Sequence, residues 1–233
     1  MNAPLPIVLV PGLSCSARLY DEQIPALWQL GPVTIATHNQ DDNIGAIARW
    51  ILSAAPPSFA LVGLSLGGYI AFEVLRQAPL RVVKLALLDT SARPDSAEQT
   101  AQRRTLMEMA GNGRFAEISN LIFPRLVHSS HQDDPRLRQI HRAMAAETGA
   151  DAYVRQQRAI IGRSDSRPHL RAISCPTLVL VGDSDQVTPP ECAAEIAGGM
   201  PEARLIAVPE CGHLSTLEQP DFVTRALVEF LAH

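Results

Sequence analysis

Long hydrophobic runs are missing from this chain. No apolar stretch in its 233 residues approaches the roughly 20 residues that a membrane-spanning helix needs, so a transmembrane protein is not expected. A basic leader is missing too. The opening stretch, MNAPLPIVLV, has no Lys or Arg and only a short apolar run, and does not read as a signal peptide. Cysteine is scarce. Cys15, Cys175, Cys192 and Cys211 lie far apart and fit neither metal-ligand nor disulfide-framework spacing. Reduced thiols in a cytoplasmic enzyme are the expected state. Excess positive charge is also lacking. The formal net charge of −4 argues against nucleic acid as the main partner.

What remains is the composition of a globular chain, with 46% apolar and 19% charged residues. The length allows one domain with a sizeable core and room for an inserted subdomain. The charge is unevenly spread. Residues 91–171 hold 13 arginines against 9 acids, whereas the remainder holds 7 basic and 15 acidic residues.

Apolar, β-branched runs recur at residues 7–10, 33–36, 59–62, 82–88, 177–181 and 204–208. They are continuous rather than alternating, as strands buried on both faces should be. Between the second and third run, Ile44, Ile47, Ala48, Ile51 and Leu52 fall on one helical face. Asp42 or Asn43 can cap that helix, and Pro56-Pro57 ends it. Phe222, Ala226, Leu227 and Phe230 repeat the spacing near the end. Alternating strands and helices predict a mainly parallel six-stranded α/β sheet flanked by helices. The alternation stops over 91–171, where three amphipathic segments appear: Leu106/Met109/Ala110, Phe115/Ile118/Leu121/Ile122 and Leu137/Ile140/Met144. This arginine-rich interval is read as an inserted helical cap over a core made of 1–90 and 172–233.

The third run leads into Gly63-Leu64-Ser65-Leu66-Gly67, a G-x-S-x-G pattern followed at once by a helical one. A strand turning straight into a helix brings backbone close to the turn residue from both arms, which leaves room for glycine alone at the flanking positions. The serine then projects at a helix N-terminus, where N–H groups and the helix dipole favour developing negative charge. That arrangement suits a nucleophile, with the Leu66 N–H as one oxyanion donor.

A serine nucleophile needs a base, and the base an orienting acid. Of seven histidines, His213 sits in CGHLSTLEQP, just past the last strand, where a parallel sheet places its functional loops. Its pattern is G-H-x-x-x-x-E-x-P. The acid is expected after a late strand and before the histidine. Asp185 in GDSDQVTPP meets that position. Asp183 is assigned to the turn, and Asp89 remains an alternative at the end of the fourth strand. The loop after the first strand, Pro11-Gly12-Leu13, is expected to give the second oxyanion donor through the Leu13 N–H. Nearby Cys15 reads as a small buried hydrophobe or a reactive thiol.

The order Ser65, Asp185, His213, with the elbow and the insertion, resembles the α/β-hydrolase superfamily over essentially the whole chain. Within it the chain is similar to small capped esterases, 3-oxoadipate enol-lactonases and perhydrolases. The family's antiparallel first strands are absent, and its usual His-Gly in the oxyanion loop is Pro11-Gly12 here. The resemblance implies a serine hydrolase of small esters or lactones that works through an acyl-enzyme, with no cofactor and no metal. Thioester or C–C bond hydrolysis, perhydrolysis and a non-catalytic ligand-binding role use the same fold and stay open. So do the oligomeric state and the place of the cap arginines, either turned inward to a substrate carboxylate or paired with acids on the surface.

Overall fold

The computed structural model describes residues 4–233. Its six strands are β1 (Ile7–Val10), β2 (Val33–Ile35), β3 (Phe59–Leu64), β4 (Val82–Leu88), β5 (Thr177–Gly182) and β6 (Ala203–Val208). They form one sheet in the order β2-β1-β3-β4-β5-β6, and every neighbouring pair is parallel. Alternate residues of one strand enter different layers. Ile7 and Leu9 pack with Leu27, Leu217 and Leu227, while Val8 and Val10 pack with Ile47, Ile70 and Ile196. Both faces are therefore core, which is why the strand runs read as unbroken apolar sequence. The edge strand β6 departs from this, with Leu205 42% exposed.

The helices outside the insertion are α1 (Ile24–Leu27), α2 (Ile44–Ala54), α3 (Leu66–Gln77), α8 (Pro190–Gly199), α9 (Ser215–Glu218) and α10 (Pro220–Ala232). Asn43 caps α2 by accepting the Ala46 N–H at 3.1 Å. Between β4 and β5 lie α4 (Ala97–Met109), α5 (Phe115–Leu126), α6 (Pro135–Thr148) and α7 (Ala150–Ile161), with no strand among the described residues. A capping box of Ser96 and Gln99 starts α4. Ala110, expected within the first amphipathic segment, instead opens a wide turn that breaks at Asn112 and at Gly113, whose φ is +77°. Leu121 is 61% exposed rather than on the inner face, where Ile118 and Phe123 lie.

Helix α7 lacks a clean apolar periodicity because two of its six buried residues are glutamines, Gln156 and Gln157, set beside Tyr153 and Ile160. The chain leaves β1 for β2 on one side and returns to β3 on the other. The crevice at the carboxyl ends of β1 and β3 is thus the switch point, where such sheets hold their ligands. Gly12 and Ser65 sit there.

Candidate active site

Ser65 joins β3 to α3 with φ 55° and ψ −113°. A non-glycine residue in that region stores roughly 1–3 kcal/mol of strain. Four hydrogen bonds hold it: its N–H donates to Leu88 O (3.0 Å), and its carbonyl accepts from the N–H groups of Gly68 and Tyr69 and from Thr90 Oγ1 (2.8 Å). The turn has no space for flanking side chains. A Cβ on Gly63 would lie 2.4 Å from Gly67 O, and one on Gly67 would lie 2.0 Å from Val10 O.

His213 Nε2 is 2.9 Å from Ser65 Oγ, and His213 Nδ1 is 2.7 Å from Asp185 Oδ2. Asp185 is buried and fully satisfied. Its Oδ1 accepts the N–H groups of Val187 (2.7 Å) and Thr188 (3.0 Å), and its Oδ2 also takes the Thr188 hydroxyl (2.8 Å). Burial pushes this carboxyl up, but the facing imidazole and these donors outweigh it and hold it below the usual range. Burial pulls His213 down, and the Asp185 charge and hydrogen bond, helped by Asp89 and Glu218, more than reverse that. The imidazole is therefore more basic than a free one. It can take a proton from Ser65 at Nε2 while Asp185 fixes the proton on Nδ1.

The other two aspartates hold backbone. Asp183 accepts the N–H groups of Glu210 (3.0 Å) and Cys211 (3.2 Å), so it braces the turn into the histidine loop rather than its own. Asp89, fully buried with φ +45°, accepts Gly182 N–H (3.0 Å) and the Ser215 hydroxyl (2.5 Å). Burial and the Asp185 charge push Asp89 well above the usual carboxylate range.

Glu218, the acid of the G-H-x-x-x-x-E-x-P pattern, grips the same loop. Its Oε1 accepts Gly212 N–H (3.0 Å) and Leu214 N–H (3.2 Å), on either side of His213. Its Oε2 takes His128 N–H (2.7 Å) and lies 2.9 Å from His131 Nδ1. His213 N–H donates to Leu126 O at 2.8 Å. The histidine loop is thus tied to the end of α5 and to the segment after it.

The loop after β1 packs against the serine: a Cβ on Gly12 would sit 3.4 Å from Ser65 Cβ. Among the described residues, neither the Leu13 N–H nor the Leu66 N–H, the first of α3, meets a protein acceptor. Ser14 has φ 58°, and its N–H goes to Gln156 Oε1 at 2.9 Å. The loop lacks its own histidine, but His38 reaches it from beyond β2, with Nε2 3.0 Å from Pro11 O. Cys15 is buried with its thiol pushed up to about 12 by burial, so it stays protonated and packs as a hydrophobe. All four cysteines are unpaired.

Leu13 also packs against a buried apolar cluster of Ala110, Ile118 and Tyr153, which Leu106, Met109 and Phe115 flank as well, so that α4, α5, α7 and the turn between the first two all contribute. Several arginines of the insertion form exposed ion pairs, such as Arg114–Glu117, Arg158–Asp42 and Arg167–Asp165. Arg103 and Arg163 turn inward and share Asp95, each at 2.7 Å. Arg163 also covers the Tyr69 ring, 4.3 Å from its centroid. A cavity of about 170 Å³ beside it is lined by Tyr69, Ser91, Arg93 and Arg163 but not by Ser65 or His213. The hydrogen-bonded array of Ser65, His213 and Asp185, not this cavity, marks the candidate site. Among the described residues no helix is long and apolar enough to cross a membrane.

Residues 7–226 match a family model described as the alpha/beta hydrolase family. A pimeloyl-[acyl-carrier protein] methyl ester esterase from Nitrosomonas europaea is 24% identical over 92% of this chain and 91% of that one. The structure of a thermophilic esterase from Thermogutta terrifontis, with malate bound, is similar with a TM-score of 0.88 and 30% identity, covering 97% of this chain and 89% of that one. An enol-lactonase from Burkholderia xenovorans LB400 has the same TM-score, 0.88, at 22% identity over 100% of this chain and 93% of that one, a likeness of fold.

Proposed function

The chain belongs to the alpha/beta hydrolase family of hydrolase enzymes, and from that premise we propose that it cleaves small carboxylic esters or lactones through an acyl-enzyme on Ser65. One observation carries the reading: the continuous relay from Ser65 Oγ to His213 Nε2 (2.9 Å) and from His213 Nδ1 to Asp185 (2.7 Å). His213 takes the hydroxyl proton as Ser65 attacks the carbonyl carbon. The Leu13 and Leu66 N–H groups receive the oxyanion. His213 then gives its proton to the leaving alkoxide. In the second half it takes a proton from water, hydroxide attacks the acyl carbon, and the acid leaves as Ser65 regains its proton. Asp185 stays ionised throughout and stabilises the imidazolium.

The esterase relatives support the ester class, and the apolar side chains around Leu13 favour a small apolar acyl or alkyl group. We read helices α4 to α7 as a cap that shapes this pocket, and the free thiols as those of a cytoplasmic enzyme. The test is a panel of aryl esters, lactones and thioesters of graded acyl length, with mass spectrometry of the acylated protein. Turnover with the acyl group on Ser65 is expected. A protein that hydrolyses none of the panel would overturn the reading.

A further inference from the structure

The loop after β1 is held by side chains that the proton relay does not use. Gln156 is fully buried on α7. Its Oε1 accepts the Ser14 N–H at 2.9 Å, and its Nε2 donates to His38 Nδ1 at 2.9 Å and to Asn39 Oδ1 at 2.8 Å. His38 Nε2 lies 3.0 Å from Pro11 O. These bonds allow one arrangement of protons. The amide oxygen must face the Ser14 N–H, so the amide N–H₂ faces the imidazole. Nδ1 then accepts, and the imidazole proton sits on Nε2, where it donates to Pro11. Burial pulls His38 down to about 4, which keeps that neutral form through the neutral pH range.

The two ends of this chain of bonds, Pro11 and Ser14, bracket Gly12 and Leu13. We propose that Gln156 and His38 are positioning residues for the Leu13 N–H, so that the oxyanion site is complete only while α7 is seated against the loop. The proposal rests on the reading of Leu13 as an oxyanion donor. Gly12 leaves the loop backbone free to turn, and Ser14 sits in a strained region at φ 58°. Without Gln156 the Ser14 N–H has no acceptor, nothing offsets that strain, and the loop relaxes. A donor displaced by about an ångström loses much of its effect on the transition state. A substrate that wedges α7 outward therefore binds but turns over slowly. Selection acts on kcat rather than on affinity.

Three variants probe the bracket. Gln156→Met removes both of its ends at similar volume. Gln156→Glu keeps an acceptor for Ser14 but gives up the donor to both His38 and Asn39. His38→Phe removes the bond to Pro11 from the opposite side. Arg158→Ala, on the same helix as Gln156 and in an exposed pair with Asp42, serves as the control. Outright loss of an oxyanion donor costs about 10²- to 10³-fold, so displacement should lower kcat about 10- to 100-fold in Gln156→Met and His38→Phe, with KM within about threefold. Gln156→Glu should fall between these and the wild type, and Arg158→Ala should match the wild type.

Amide hydrogen exchange gives a readout that does not need turnover. The Ser14 amide should exchange faster in Gln156→Met while the β3 amides stay protected. If Gln156→Met does not fold, the other two variants carry the test. Unchanged kcat, a rise in KM alone, or faster Ser14 exchange with no loss of kcat would overturn the proposal. Labelling of wild-type Ser65 by a serine-directed phosphonate checks the nucleophile separately. If Ser65 is not labelled, that reading fails, while Ser14 exchange still reports on the bracket.

Discussion

Asp89 and Asp185 reach one histidine loop from the adjacent strands β4 and β5 and hold different atoms of it. Asp185 holds the imidazole, 2.7 Å from Nδ1. Asp89 holds Ser215, two residues further on, and the Gly182 N–H. Only the first contact fixes which nitrogen of His213 carries the proton. Asp185→Asn should therefore lower kcat on the order of 10⁴-fold, as loss of an orienting acid does. Asp89→Asn and Asp183→Asn should cost far less. Steady-state kinetics of the three variants decides it, and a larger loss in Asp89→Asn would move the acid to β4.

Ser65→Ala should keep the fold, since alanine leaves the backbone bonds of the elbow in place. Turnover should fall on the order of 10³-fold or more, because relay members act as a unit. Circular dichroism checks the fold, and a phosphonate that labels the wild type should leave the variant unmodified. Near-normal turnover would remove Ser65 from the mechanism.

The pH profile should follow His213. Its basicity is raised by Asp185, and in the proposed mechanism the neutral imidazole is the active form. Activity is thus lost as pH falls through a value above the free-imidazole figure of about 6.5. The acid limb of kcat/KM should lie above that figure. In Asp185→Asn the main raising influence is gone, so whatever activity remains should show the limb at lower pH. A limb that stays in place would mean another group controls it.

Stability should report a different histidine. His141 is buried against Phe123 and Ser119, and burial, followed by the Arg142 charge, lowers it from 6.5 to about 4. Between those two pH values the unfolded chain binds a proton that the folded chain refuses, so stability falls as pH falls. The effect amounts to about 2 kcal/mol between pH 7 and pH 5. Asp89 acts in the opposite sense, because its folded carboxyl is raised. Urea denaturation of wild type and His141→Asn at both pH values isolates the histidine: the variant should lack this increment. Parallel curves would refute it.

The arginines of the insertion should not select charged substrates. Those that turn inward, Arg103 and Arg163, are engaged by Asp95. A neutral ester and its carboxylate-bearing analogue should differ less than about threefold in kcat/KM, and any steering by surface charge should fade in salt. A larger preference that survives salt and disappears in Arg103→Ala would show a carboxylate clamp.

The sheet was legible because strands buried on both faces leave unbroken apolar runs, and Ser65 because the elbow needs glycines at fixed spacing. His213 and Asp185 could be placed because loops at the carboxyl ends of late strands are few. The supports were hidden. Gln156 sits among polar and apolar residues alike on α7, so no periodicity marks it as buried. Thr90 and His38 act from elements far away in sequence, and nothing local signals that their side chains meet the elbow and the first loop. Glu218 did stand in a recognisable pattern, but its bonds to His128 and His131 join segments far apart in sequence, which nothing local signals.

That shared carboxylate bears on how the segment between β4 and β5 can be exchanged between related enzymes. A foreign insertion grafted in place of 91–171 would keep some of its ties whatever its sequence, because the Leu126 carbonyl and the His128 N–H are backbone. Others are written in side chains. Without an amide at position 156, the donor end of Ser14 and the acceptor end of His38 are left buried and unanswered. Chimeras should therefore succeed or fail by the residue at that position more than by overall similarity of the 91–171 segment. A recombination boundary placed between α6 and α7, which leaves Gln156 with the core, is the safer cut.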